Sequence, residues 1–326
     1  MPPPLKQRGL VILRLVDTIG WLGPLGLAVA LIGALPMHVA SSLALGLGLL
    51  VTLTFGIAHG ALDHELAERL RGASKLTTLC IVVGYTAVVA LAFSAFIVFP
   101  LPCFAAFIAI SIVHFGSGDL TFAARYVGED LPRFAGLRTL GFGALPIAVP
   151  FLAHPLEMLA LVPQSIGFAV ASVPLVPFAV RVAMLSVVGI GVIVVASKRA
   201  ARARAARLPH WYVLELPVAF IGFVIAPPLP AFLLYFGCWH GARHLLRLAE
   251  IYGVDVNASF AQNSAAMQRF ALRSLPMTLG ALALGGFFAT ELPRTLSFST
   301  AIVGFAFAVT VPHILAVRYM NRTAAA

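Results

Sequence analysis

The chain has 326 residues, 60% of them hydrophobic and only 10% charged, with a mean hydropathy of +0.99. A soluble domain carries roughly a quarter charged residues, so the composition excludes a water-soluble globular protein and indicates an all-α, polytopic transmembrane helical bundle. The formal net charge of +10 does not call for nucleic acid, because the basic residues fall in short loops between apolar runs, where the cytoplasmic bias of Lys and Arg explains them. Cys80, Cys103 and Cys238 lie within apolar runs without CxxC spacing, which leaves no basis for a disulfide framework or a zinc ribbon.

Spans of about 17 to 24 apolar residues can be placed in chain order, about ten in all. The first covers about 19–35, and Lys6, Arg8 and Arg14 set its N-terminal side in the cytoplasm. The second, about 41–58, runs inward and ends in FGIAHGALDH, followed by the charged ELAERLRGASK. The third (about 76–99) goes out to the turn at Pro100 and Pro102, and the fourth (about 101–117) returns to SIVHFGSGD. A fifth span, about 136–152, leads to the outer segment 153–174, apolar but broken by Pro155, Pro163 and Gly167, which either spans or is re-entrant. The sixth (about 175–197) comes back to the loop SKRAARARAAR, the strongest inside marker in the chain. The seventh (about 211–226) exits to PPLP, and the eighth (about 229–247) re-enters carrying FLLYFGCWHGARHLL. After a polar cytoplasmic stretch at 248–273 come spans nine (about 274–291) and ten (about 297–318), the last ending in TVPHILAVRYMNR. An even count puts both termini in the cytoplasm. No repeat or linker divides the chain, so residues 1–326 read as one integral-membrane domain of the inner cell membrane.

This topology uses hydropathy and Lys/Arg placement alone. It nevertheless brings His59, His64, His114, His240, His244 and His313 to the cytoplasmic ends of spans two, four, eight and ten, while His38, His154 and His210 fall in loops or at span edges. Hydrogen-bonded packing can explain one such histidine. Six at one depth point to a shared site, because polar side chains at membrane depth are costly and face a partner or a cavity. Neutral imidazoles suit zinc, copper, iron or nickel. His240 and His244, four apart, share a helix face, whereas His59 and His64 are about 140° apart around a helix. Asp63, four after His59, shares its face and suits a carboxylate that orients the ring, or else a charge at a helix end. Phe55, Phe115, Phe232, Tyr235, Phe236, Trp239 and Gly241 surround these positions. As aromatics and a glycine of membrane helices they read as packing; beside a metal they fit the wall of a tunnel for a long apolar substrate. No Ser nucleophile elbow, Walker loop, strand-following GxGxxG or HExxH is present.

HGALDH at 59–64, HFGSGD at 114–119, YFGCWHGARHLL at 235–246 and PHILAV at 312–317 resemble the Brp/Blh family of bacterial and archaeal membrane proteins that cleave β-carotene to retinal. The resemblance implies an Fe(2+)-dependent dioxygenase that splits the central 15,15′ double bond with O2 into two all-trans-retinals. It implies His59, His114, His240 and His244 as metal ligands, with Asp63, His64, Asp119 and His313 in supporting places around them. The substrate would come from the lipid phase, and a retinal-accepting rhodopsin is an expected partner. Three other readings compete. A haem-binding electron carrier would need one axial histidine on each face of the macrocycle, which an i, i+4 pair on one helix fits poorly. A membrane desaturase or hydroxylase would need more clusters than the single HxxxH. A transporter with histidine proton relays would need no metal.

Overall fold

The computed structural model describes residues 37–66, 69, 72, 74–127, 129, 135–163, 166, 175–206, 210–256, 258–290 and 297–323. The expected first span, 19–35, lies outside these residues, as do the segments 164–165 and 167–174 of the expected outer stretch. Among the described residues the regular structure is helical throughout. That follows from the long apolar runs, since a backbone in hydrocarbon must satisfy its hydrogen bonds within its own segment.

The helices are α1 (Met37–Val51), α2 (Lys75–Val98), α3 (Pro100–Phe122), α4 (Ala135–Ala153), α5 (Pro155–Leu161), α6 (Phe178–Ala206), α7 (His210–Ile225), α8 (Pro228–Leu234), α9 (Ala242–Ile251), α10 (Phe260–Thr290) and α11 (Phe298–Thr323). Punctuation in the sequence sets several of their starts. Ser74 caps α2 by accepting from the Thr77 amide at 3.2 Å, and proline opens α3, α5 and α8, where its missing N–H costs nothing.

Among the described residues seven helices are long and apolar enough to cross a membrane: Val39–Glu65, Lys75–Val98, Pro100–Tyr126, Gly136–Ala153, Phe178–Arg202, Ala261–Phe287 and Ser299–Asn321. They fall on the expected spans two to six, nine and ten. Expected span seven falls on the shorter apolar helix Tyr212–Ile225, and span eight on the interrupted helix from Pro228 to Ile251. Several boundaries differ from expectation, among them the end of the fourth span, expected at about 117 and found in α3 at Phe122. The basic run read as a loop after residue 197 is helical to Ala206, because Ala and Arg are strong helix formers. The polar stretch 248–273 likewise joins α10 from Phe260 onward.

The molecule is apolar outside and polar within. Leu79, Val83, Leu91, Phe178, Val187 and Ile190 are exposed on outer faces, while Asp63, Asp119, Glu215, Arg199, Arg243 and Arg247 are buried. This is the arrangement a bilayer selects. Helices α3 and α4 touch backbone to backbone: a Cβ at Gly116 would lie 1.8 Å from Thr139 O, and one at Gly143 would lie 1.7 Å from Ile112 O. Such contact is how membrane helices gain packing energy without a hydrophobic drive between them. The main core joins Phe115, Leu145, Val149, Leu216, Phe223, Tyr235 and Trp239 from α3, α4, α7 and the segment after α8.

Candidate metal centre

Two helices are interrupted where the histidines sit. After α1 the chain forms a π turn, Thr52–Gly56, then the 3₁₀ turns Ala58–Gly60 and Asp63–Glu65. Between α8 and α9 a second π segment covers Tyr235–Gly241. Such interruptions are frequent at functional sites, because they turn side chains out of the regular ladder. The two meet face to face. A Cβ at Gly237 would lie 2.6 Å from the Val51 carbonyl carbon, and Thr52 Oγ1 donates to Leu233 O at 3.0 Å.

This contact sets His59 beside His240 and His244. The His59 ring centroid is 5.3 Å from that of His240 and 5.5 Å from that of His244. The His240 and His244 rings are 6.4 Å apart and nearly parallel, as i, i+4 neighbours should be. From α3, His114 brings its Nε2 to 3.1 Å from His240 Nε2. From α11, His313 lies 4.7 Å from His59, 5.0 Å from His114 and 5.4 Å from His244. All five are buried. The ligand nitrogens of His59, His114 and His313 lie within 4.8 Å of one another.

Hydrogen bonds fix how two of the rings present themselves. His59 Nδ1 donates to the Gly56 carbonyl, and His313 Nδ1 pairs with Asp63 Oδ2 at 2.6 Å. Each contact assigns the proton to Nδ1 and leaves Nε2 with a lone pair, the tautomer that ligates a metal. Nε2 of His244 and Nε2 of His313 are buried without a hydrogen-bond partner. Buried polar atoms rarely remain so. A set of neutral imidazole nitrogens, two of them otherwise unpartnered, fits a first-row divalent metal such as iron.

The other residues singled out in the sequence divide. His64 stays outside the cluster, with Nε2 3.8 Å from Glu65 Oε1. His154 is also apart, bonded to Val224 O at 3.0 Å; of the side chains of His38 and His210 nothing is described. Asp63 meets His313 and not His59, because residues 58–65 are 3₁₀ turns and the 3.6-residue periodicity that paired 59 with 63 does not apply. Asp119 bonds to residues other than the histidines. It accepts from Trp239 Nε1 at 2.5 Å and from Tyr235 and Arg243 at 3.4 Å each.

Of the expected tunnel wall, Phe115 and Phe236 pack directly on His240, with centroids 4.8 and 6.0 Å away, and Phe232 stacks behind Phe236. Tyr235 and Trp239 belong to the core through Asp119, and Phe55 is 43% exposed on the outside. Gly241 faces no tunnel. A Cβ there would meet Phe55 O at 2.9 Å and the Gly56 Cα at 3.1 Å, because the two interrupted segments touch at this point. An apolar cavity of about 360 Å³ opens instead between α2 and α11, lined by Ile81, Gly84, Val88, Leu315 and Ala316, and it reaches Asp63 and Tyr85.

Sequence reasoning missed the supports behind the cluster. Arg243, inside the third motif, bonds Glu215 at 2.5 Å as well as Asp119, and lies 4.2 Å over the Trp239 ring. Arg199 bonds Glu215 at 3.2 Å. These contacts tie α9, and with it His244, to α3, α6 and α7. The available signal was Glu215 itself, a lone carboxylate in the apolar run WYVLELPVAF.

Fold and site together define a helical membrane protein with a buried histidine cluster compatible with a metal. A family model described as Beta-carotene 15,15'-dioxygenase matches residues 50–321, a range that contains all five histidines. The protein described as "Probable beta-carotene 15,15'-dioxygenase Blh" from Halobacterium salinarum is 31% identical over 285 residues, covering 83% of this chain and 82% of that one. This chain therefore belongs to the beta-carotene 15,15'-dioxygenase family of carotenoid-cleaving enzymes. No solved structure matches it.

Proposed function

We propose that this protein cleaves β-carotene at the central 15,15′ double bond with O2, giving two all-trans-retinals, at an iron(II) held by His59, His114, His240 and His244. The single observation that carries the reading is the convergence of five buried imidazoles from four separate helical segments in a chain of this family. In the proposed reaction the carbon–carbon double bond breaks and each of its carbons takes one oxygen atom of O2. The balance needs no further reductant. Iron(II), when bound, supplies the redox chemistry that lets O2 react with a polyene at all.

The residues of the chain bind, orient and exclude water. Gly56 O fixes the His59 tautomer, and the Arg243 network with Asp119 and Glu215 holds the turn of helix that presents His240 and His244. Phe115, Phe232 and Phe236 form a dry wall on one side of the histidines, where an apolar polyene can lie without desolvating a polar group. The space enclosed among His114, His240 and His244 is about 10 Å³, far too small for a haem macrocycle. The lipid-soluble substrate would approach through the apolar cavity between α2 and α11. Its centre would come to the level of His114 and His240, which lie midway along the helical stretches Pro100–Tyr126 and 228–251 and not, as the sequence had led one to expect, at their ends.

The proposal includes the wider assignment: one catalytic unit over residues 1–326, about ten spans, both termini in the cytoplasm, residence in the inner cell membrane, and retinal passed to a rhodopsin. Its experiment is product analysis. The purified protein given β-carotene and O2 should yield all-trans-retinal as its only cleavage product on chromatography. Longer apocarotenals of unequal length would overturn central cleavage, and no product at all would overturn the reaction.

A further inference from the structure

The four-histidine assignment leaves one ring of the cluster without a part. We infer that His313 is a fifth protein ligand of the metal centre, positioned by Asp63 and Tyr85. This rests on the metal-centre reading above and extends it. His313 is as near to His59, His114 and His244, at 4.7, 5.0 and 5.4 Å, as the other four rings are to one another. Its ring shares the tight nitrogen group with His59 and His114.

The bond from Nδ1 to Asp63 Oδ2 points the remaining nitrogen, Nε2, away from the carboxylate, and Nε2 is buried with no partner. A histidine that served only to tie α11 to residues 58–65 would leave that nitrogen unsatisfied, which costs stability and returns nothing. A carboxylate on the far nitrogen is instead the usual support of a metal-bound imidazole, fixing its tautomer and raising its basicity. Tyr85 extends the arrangement by donating to the same Asp63 oxygen at 3.4 Å. Asp63 also brings a negative charge close to the centre, which neutral imidazoles alone do not supply. The chain of groups Tyr85, Asp63, His313 thus links α2 and the 3₁₀ turns to α11.

The test uses the full-length purified protein without carotenoid, loaded with iron or, separately, with cobalt(II), whose visible spectrum responds to the number of its ligands. His313→Gln should retain iron at least about 10-fold less well against a chelator, no less than the loss of a partner behind a ligand costs, and change the cobalt spectrum. Asp63→Asn should weaken retention in the same direction, and Tyr85→Phe by a smaller factor. Imidazole added to His313→Gly should return the cobalt spectrum toward wild type. Wild-type retention with an unchanged cobalt spectrum in His313→Gln would overturn the inference. Should that variant not fold, unchanged retention and spectrum in both Asp63→Asn and Tyr85→Phe overturn it equally. A wild-type protein that binds metal but makes no retinal removes the proposed reaction and leaves the ligand set standing, so the two failures are separable.

Discussion

An imidazole meets a metal through one nitrogen, so the partner of the other nitrogen decides which one that is. In this chain those partners are a carbonyl for His59 and a carboxylate for His313. Alanine at His59, His114, His240 or His244 should abolish both metal content and retinal formation. Alanine at His64 or His154, both outside the cluster, should leave metal content at the wild-type level when it is measured by elemental analysis. Loss of metal from a folded His154→Ala protein would contradict the site. Buried charge gives a second expectation. Arg243 stands between Asp119 and Glu215 with 5% exposure, and removing it takes one cationic partner from each buried carboxylate, leaving Asp119 to Trp239 and Tyr235 and Glu215 to Arg199. Arg243→Ala should cost about 3–5 kcal/mol, read as a lowered unfolding midpoint in detergent; an unchanged midpoint would show that the network does not hold α9.

At the scale of elements, sequence periodicity was informative where the helix is regular and misleading where it is not. The His240–His244 pair was legible because the chain stays helical from the π segment that carries His240 into α9, so residues four apart remain neighbours. The Asp63 contact was not, since no pattern of apolar residues announces a chain of π and 3₁₀ turns over 52–65. Gly241 allowed two readings, a substrate wall or close helix packing, and the packing one holds here, since it makes room for the facing backbone of Phe55 and Gly56. Gly241→Trp is therefore expected to disrupt the meeting of the two interrupted segments and lower both stability and metal content. Gly84 behaves differently. A Cβ there would meet nothing within 4 Å, and the residue borders the cavity between α2 and α11. Gly84→Trp should keep the metal and slow cleavage of β-carotene by raising its KM. Unaltered kinetics in that variant would move the route of entry elsewhere.

At the scale of the whole molecule, most of the architecture was legible because a bilayer allows few solutions. Long apolar runs become helices, and ionisable groups turn inward. Hydropathy and basic residues alone brought the histidine-bearing segments to one level, and five of the six histidines assigned there do meet. His64 failed to join because it lies on the half-buried side of its turn, beside Glu65. The proposed orientation places Asn321, the bonding partner of Arg247 in α9, on the cytoplasmic side and His154 on the opposite one. Single cysteines introduced at Thr323 and Glu157 should then label with a membrane-impermeant thiol reagent from opposite faces of sealed, oriented vesicles. Labelling of both from one face would reverse or break the topology.

The most direct measurement is the iron content of the purified protein taken together with retinal formation in the same sample, before and after chelation. The account predicts about one iron per chain, no haem absorption band, loss of cleavage when the iron is stripped, and recovery on adding iron(II) under O2. Full cleavage by metal-free protein, or a haem band that tracks the activity, would contradict it.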